Sequence, residues 1–275
     1  MNTSNITMQN QSSTIDGFFT NPLLKKLSKV DERTEECATY KGIVIKCFYF
    51  IAVIFAGFIA QAFLNIIYPL VGIPGTTEVD VPTEAAIPFF VALAFFVIVP
   101  FVAFLVRRAI PVLGTLYCLG TGYILGFIAS SIVDYRTILL IAVVITMAIV
   151  AAMCVLYASG IVKVTKKFRT VVLTLLLASI LMSGIVCVCA FIPGLREVAL
   201  FFQNNTILGI LGSVAGIIIA SLFLLADFNT VQYIVENGLP KKYEWIAAFG
   251  LVFTIVWIYF KVLDLLARAK NNNNK

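Results

Sequence analysis

The chain has 275 residues, of which 61% are hydrophobic and only 12% are charged, and its formal net charge is +6. A soluble domain carries about 25% charged residues, so this composition excludes a water-soluble fold and indicates a membrane protein. The sequence has no histidine, which removes the commonest metal ligand and the one side chain that titrates near neutral pH unperturbed. We therefore expect no metal and no cofactor, and any pH response must come from a carboxylate or a thiol.

Polar residues dominate the first forty positions, and no apolar stretch follows a basic start there, so nothing resembles a signal peptide. We expect residues 1–40 to form a polar, partly disordered cytoplasmic segment. Residues 41–268 are predicted to form the membrane domain, and residues 269–275 a disordered polar tail. The sequence shows no internal repeat and no second domain.

Seven apolar runs follow, each of roughly the 20 residues that a helix needs to cross a bilayer. They span residues 47–68, 87–106, 110–130, 137–159, 170–192, 206–227 and 245–266. Period-2 alternation is absent, which excludes a barrel, and at these lengths only helices satisfy every backbone group in lipid. The predicted fold is an all-α, polytopic integral membrane protein with seven transmembrane helices.

Basic residues collect in alternate loops. Lysines and arginines are frequent before the first run and in loop 160–169, whereas all charged residues of loop 69–86 are acidic. Because the positive side faces the cytoplasm, we expect a cytoplasmic N-terminus. This topology also explains the net charge without a nucleic-acid partner. Arg268 and Lys270 would then lie on the other side, so a re-entrant or six-span arrangement stays open.

Two pairs of small residues are spaced for tight helix contacts. Gly122-xxx-Gly126 lies in the third run and Gly212-xxx-Gly216 in the sixth. Glycines four residues apart let helix backbones approach closely. We interpret all four as packing positions, with a role in gating as the alternative.

Catalytic motifs are missing. Without histidine the chain cannot form a Ser-His-Asp or Cys-His arrangement or an HExxH zinc site. It has no G-x-S-x-G elbow and no glycine-rich phosphate loop. An intramembrane aspartyl protease needs two embedded aspartates, and Asp227 has no clear second. We therefore predict that the protein is not an enzyme.

The end of the sixth run places an acid on an apolar helix face. In LLADFNTVQYIVENG, Asp227 is followed at helical spacing by Val231, Ile234 and Val235, and Gly and Pro at residues 238–240 end the helix. An acid in this position is a candidate functional group by default, and burial disfavours its charged form. The alternative is a solvated aspartate at the membrane surface. Glu236 and Glu244 lie near the same membrane edge and are candidate partners.

The last third of the chain resembles the Bax inhibitor-1 family, in particular its bacterial YccA-like branch. The resemblance is carried by LADF at 225–228 and YIVENGLPKKYEW at 233–245, with support from TYKG at 39–42 and LYASGIVKVT at 156–165. It implies a seven-helix fold whose last helix is central, and a pH-sensitive calcium leak. Some bacterial relatives resemble regulators of membrane proteases. A non-conducting regulator that binds a membrane protease or a stress or cell-death factor is therefore the second hypothesis.

The same resemblance points to particular residues. In relatives two aspartates pair, one late in the sixth helix and one in the seventh; Asp227 fits the first position, whereas the second falls near Val252, which cannot titrate. Relatives in this branch also carry Glu and then Arg three residues apart near the end of the seventh helix. Here Lys261 and Asp264 stand there, as if the charges were exchanged, so we expect an i,i+3 structural ion pair.

Overall fold

The computed structural model describes residues 37–67, 71–72, 79–80, 83–131, 135–162, 164–192, 194–197, 200 and 206–273. Most of the predicted N-terminal polar segment and of loop 69–86 lies outside these residues. Within these residues seven α-helices follow one another: α1 Tyr40–Ile67, α2 Thr83–Leu105, α3 Ile110–Ser131, α4 Tyr135–Ala158, α5 Lys166–Phe191, α6 Thr206–Glu236 and α7 Tyr243–Asn273. The strands β1 Val71–Gly72 and β2 Val79–Asp80 pair antiparallel between α1 and α2.

Each of these helices overlaps one of the seven apolar runs. Within the described residues, six of them are long and apolar enough to cross a membrane, while the shorter apolar part of α2 covers Ile87–Pro100. α2 contains two prolines, Pro88 and Pro100, and proline removes a helical hydrogen bond. The last helix is longer than its apolar run, because α7 continues through Asn273, beyond the domain boundary expected at residue 268.

The last helix lies among the others. α7 packs against α1, α3, α4 and α6. Near its start, Ala248, Phe249 and Val252 join a buried cluster with side chains of α1 and α3. Further along, Ile258 and Val262 join a second cluster with α4 and α6. The outward faces of α1, α4 and α5 carry many exposed large apolar side chains, as expected of surfaces in contact with lipid.

Side-chain contacts define the directions of the first three helices. On α1 and α3, Tyr49 lies 3.1 Å from Thr115, and Gln61 further along donates a 3.1 Å hydrogen bond to Ser130, so the two helices run parallel. The α2 helix runs against α3, because Phe89 contacts Phe127 and Phe96 stacks on Tyr117 at 5.4 Å. The chain therefore returns along α2 before α3 begins.

Glycines allow the close approach of α1 and α3. A Cβ atom on Gly122 would collide with the carbonyl oxygen of Ile54, and one on Gly57 would collide with that of Leu119. A Cβ atom on Gly126 would lie 3.0 Å from the side chain of Gln61. The structure thus places Gly122 and Gly126 at a helix contact. Gly57, on the opposite helix, was not identified from the sequence because it has no glycine four residues away.

Candidate functional site at the contact between α6 and α7

Asp227 lies well inside α6, which continues for nine residues beyond it and ends at Glu236. The turn that follows uses Gly238 with a positive φ of 59°, a conformation that glycine adopts at little cost. Asp227 is partly buried. The predicted continuation of the helix past the aspartate, and its end at residues 238–240, are therefore both confirmed.

The hydrogen-bond partner of Asp227 is a hydroxyl group on the central helix. Thr254 Oγ1 of α7 donates to Asp227 Oδ2 at 2.5 Å, and Thr254 is only 1% exposed. Val252, near which the resemblance led us to look for a second acid, is buried and apolar. Within the described residues, no second carboxylate comes within hydrogen-bonding distance of Asp227. The contact joins α6 to α7 without a coupled pair of acids.

A positive charge approaches the same carboxylate from α5. Arg169 lies close enough to Asp227 for their charges to interact. Its Nη2 atom donates a 2.6 Å hydrogen bond to Thr230 Oγ1, one turn after Asp227 on α6. The Thr230 hydroxyl in turn donates to the carbonyl oxygen of Ala226 at 2.9 Å. Asp227 is therefore held at a junction of three helices, with Arg169 as its counter-charge.

Glu236, a candidate partner of Asp227, is exposed at the end of α6 and accepts a 2.7 Å hydrogen bond from Gln232 Nε2. The Gln232 Oε1 atom accepts from the hydroxyl of Tyr157 on α4. Nine residues of helix, about 13 Å, separate Glu236 from Asp227. The structure does not bring these two acids together.

Glu244, the other candidate partner, belongs to a separate buried contact. Its side chain is 1% exposed, and its Oε1 atom accepts hydrogen bonds from Thr39 N at 2.8 Å and Thr39 Oγ1 at 3.2 Å. Its Oε2 atom forms an ion pair with Lys46 of α1. Gly42 leaves room for this carboxylate, since a Cβ atom there would collide with it. Glu244 thus ties the start of α7 to the start of α1 and is ten residues from Thr254.

The expected ion pair between Lys261 and Asp264 is replaced by another arrangement. Asp264 Oδ1 pairs with Arg268 Nε at 3.0 Å, one turn later on α7. Its Oδ2 atom accepts a 2.6 Å hydrogen bond from Ser213 Oγ of α6. Lys261 instead lies across α6 at Gly216, where a Cβ atom would be 2.8 Å from the lysine Cδ. Asp264 therefore compensates the charge of Arg268.

The glycines of α6 divide between two faces. A Cβ atom on Gly209 would collide with the guanidinium of Arg268, and one on Gly216 would press on Lys261. Gly212 has nothing within 4 Å of such an atom. The predicted contact through Gly212 therefore does not form within the described residues: the neighbouring Ser213, together with Gly209 and Gly216, faces α7. The spacing of the two glycines could not reveal which of them faces the partner helix.

In the described part of the chain, apolar helices pack around buried polar contacts, and this arrangement defines a multi-pass integral membrane protein. Within the described residues, no group of three or more Cys, Asp or Glu side chains is placed to hold a metal ion. In a comparison with models of protein families, residues 7–271 match the family described as Bax inhibitor 1 like. The chain belongs to this family. Neither the curated proteins nor the solved structures include a match.

Proposed function

We propose that the protein is a passive, pH-modulated cation leak in which Asp227 is the titrating gate and Ca²⁺ is the permeant ion. One observation carries the proposal. A carboxylate inside a helix long enough to span a membrane is hydrogen-bonded to the buried hydroxyl of Thr254 on the central helix. Acids in such positions are costly and mark ion pathways or proton relays, and carboxylate oxygens are preferred ligands of Ca²⁺.

The ionised carboxylate holds the closed state. It accepts the hydrogen bond from Thr254 and attracts Arg169, so that α5, α6 and α7 are linked through one group. The charged group that faces Asp227 is Arg169 of α5. The group that faces it from α7 is the uncharged hydroxyl of Thr254. Protonation removes the negative charge, weakens the attraction to Arg169 and frees α6 to shift against α7. Since Asp227 has no paired acid, the flux follows a one-proton pH profile rather than that of a coupled dyad.

The proposed setting is a bacterial inner or plasma membrane, with the N-terminus in the cytoplasm and a relationship to the YccA-like branch. The basic loops support this orientation. The YccA-like segments at residues 225–228 and 233–245 contribute Asp227 and the turn that joins α6 to α7. In this orientation Asp227 lies toward the cytoplasmic end of α6.

The test is Ca²⁺ flux into proteoliposomes that carry an internal fluorescent indicator, measured from pH 5 to pH 8. Wild-type flux should rise as the pH falls, and Asp227→Asn should give a constant flux at the acid level. Glu236→Gln is the matched control, because it removes an exposed acid of the same helix and should keep the wild-type profile. A pH profile of Asp227→Asn identical to that of the wild type would exclude Asp227 as the gate.

The same experiment addresses the second hypothesis. A folded wild-type protein that passes no Ca²⁺ at any pH, and that co-purifies with another membrane protein, would favour a non-conducting regulator of a membrane protease or of a stress or cell-death factor. The purified protein alone in liposomes then shows no difference between wild type and Asp227→Asn.

A further inference from the structure

Polar contacts lie at both ends of the interface between α6 and α7, with apolar packing between them. The two helices are antiparallel, with Asp227 beside Thr254 near one end and Ser213 beside Asp264 near the other. On the α6 side, Gly209, Ser213 and Gly216 form a groove of small residues. Three charged side chains of α7 occupy this groove: Lys261, Asp264 and Arg268. We call this set of contacts the charged seam.

Two acids, Asp227 of α6 and Asp264 of α7, lie on either side of Lys261 along the interface. Thr254, which contacts Asp227, precedes Lys261 by seven residues, or about 10 Å of helix axis. Asp264 follows Lys261 by three residues, or about 4.5 Å. A cation that moves along this interface from one carboxylate to the other must therefore pass both Lys261 and the apolar packing between Lys261 and Asp227.

Lys261 differs from the other charges of the seam. Asp264 and Arg268 neutralise each other, and Asp227 has Arg169 nearby. Lys261 is partly buried and forms no salt bridge within the described part of the chain, while its alkyl stem lies flat on Gly216. A lysine normally turns its ammonium group to water, but this stem is held across the neighbouring helix. The fixed positive charge is thus part of the contact between α6 and α7.

We propose that Lys261 is a tethered cation that limits cation passage along the charged seam and discriminates against divalent ions. The proposal rests on the proposed leak and adds the residue that sets its selectivity. Coulomb repulsion scales with the charge of the mobile ion, so a fixed ammonium repels Ca²⁺ twice as strongly as K⁺ at the same distance. Removal of the charge therefore favours Ca²⁺ over K⁺, beyond any general increase in flux.

The experiment compares Ca²⁺, K⁺ and Cl⁻ fluxes into proteoliposomes at pH 7 for the wild type, Lys261→Gln and Lys261→Met. Lys261→Met keeps an unbranched apolar stem on Gly216. Both variants should raise Ca²⁺ flux by about tenfold or more, as expected when a barrier falls by about 1.4 kcal/mol. K⁺ flux should rise by a smaller factor, and Cl⁻ flux should not rise.

Two controls separate charge from packing. Lys261→Arg keeps the positive charge and should retain the wild-type ratio of Ca²⁺ to K⁺ flux. Lys167→Gln removes an exposed lysine at the start of α5, outside the seam, and should leave all fluxes unchanged. Equal increases in Ca²⁺, K⁺ and Cl⁻ flux would indicate a loosened bundle and overturn the proposal, as would fluxes of both neutral variants equal to those of the wild type.

The outcomes also separate this inference from the proposed gate. If Asp227→Asn abolishes the pH dependence while the Lys261 variants match the wild type, the gate stands and the tethered cation is rejected. If the Lys261 variants gain Ca²⁺ flux while Asp227→Asn keeps the wild-type profile, the tethered cation stands and the gate is rejected. The absence of flux in the wild type and in every variant would overturn both.

Discussion

Thr254 gives Asp227 a hydrogen bond but not a second titrating group. A hydroxyl donates to an ionised carboxylate and stays neutral throughout the physiological pH range. An acid at the same place would instead share protons with Asp227 and titrate with it as a pair. With Thr254 as its hydrogen-bond partner, Asp227 is held in place and would titrate as a single group.

The first prediction concerns this hydrogen bond. Thr254→Val keeps the side-chain volume and removes the hydroxyl, whereas Thr254→Ser keeps the donor. A hydrogen bond to a charged group contributes about 1.5–3 kcal/mol, so Thr254→Val should lower the free energy of unfolding by about this amount and raise Ca²⁺ flux at pH 7. Thermal unfolding in detergent and liposome flux measure the two effects. Thr254→Ser should remain close to the wild type in both, and a leak-free, fully stable Thr254→Val would refute the role of this contact.

The second prediction concerns Glu244 and Lys46. Removal of one partner leaves the other charge buried and without compensation, at a cost of about 3 kcal/mol. Glu244→Gln and Lys46→Met should each lower the unfolding temperature in detergent. The double variant should be less destabilised than the two single changes together, because the pair is already lost. Additive effects would mean that the ion pair does not couple the starts of α1 and α7.

At the scale of the elements, the sequence predicts where the helices lie better than it predicts which face of each helix contacts a neighbouring helix. The seven apolar runs predict seven helices because a span of lipid requires about 20 apolar residues. The sequence also predicts the helix face on which Asp227 lies, because Val231 and Ile234 follow it at helical spacing within the same helix. Helical spacing does not predict which residues of two different helices contact each other. Thr254, for example, lies in an apolar run. Its position one turn after Gly250 is the one sequence feature that places it on the face toward α6.

Charges near the end of α7 show the same limit. The i,i+3 spacing of Lys261 and Asp264 permits an ion pair, but it says nothing about a competing partner one turn later or on α6. Arg268 and Ser213 occupy the carboxylate of Asp264, and Gly216 leaves space for Lys261. Only the register of α6 against α7 determines which of these pairs forms.

The third prediction uses two glycines that look alike in the sequence. Gly122→Ala would force a Cβ atom into the backbone of α1 at Ile54, and overpacking of this kind costs about 1–3 kcal/mol. Gly212→Ala meets no atom of the described residues within 4 Å and should be neutral or stabilising by up to about 1 kcal/mol, because alanine is the better helix former. Unfolding temperatures of the two variants in detergent make the comparison. Equal effects would argue against the close approach of α1 and α3.

For the whole molecule, the ends of distant helices come together at one face. Ala38 N donates a 2.7 Å hydrogen bond to the carbonyl oxygen of Leu239, and Cys37 forms an isolated bridge with Pro240. The start of α1 therefore lies beside the turn between α6 and α7. Arg169, at the start of α5, reaches Thr230 near the end of α6. These contacts place the starts of α1, α5 and α7 and the end of α6 on the same side of the bundle.

The fourth prediction is that all seven helices cross the membrane, α2 included. Since α1 and α3 run parallel and α2 runs against α3, the chain must return across the bundle between Ile67 and Ile110, and α2 is the helix that does so. The apolar part of α2, Ile87–Pro100, is shorter than that of the other helices, but it packs against α3 along its length. The tail after α7 should then lie on the side opposite to the start of α1.

Single cysteines and a membrane-impermeant maleimide test this arrangement in right-side-out and inside-out vesicles. Native Cys37 and Lys167→Cys should react from the cytoplasmic side, because the basic loops lie there. Ala269→Cys, in the last turns of α7, should react from the opposite side. If α2 did not cross, the start of α5 would change sides, and residues 37 and 269 would react from the same side. That result would contradict both the seven-span arrangement and the parallel course of α1 and α3, since two parallel helices require a full return between them.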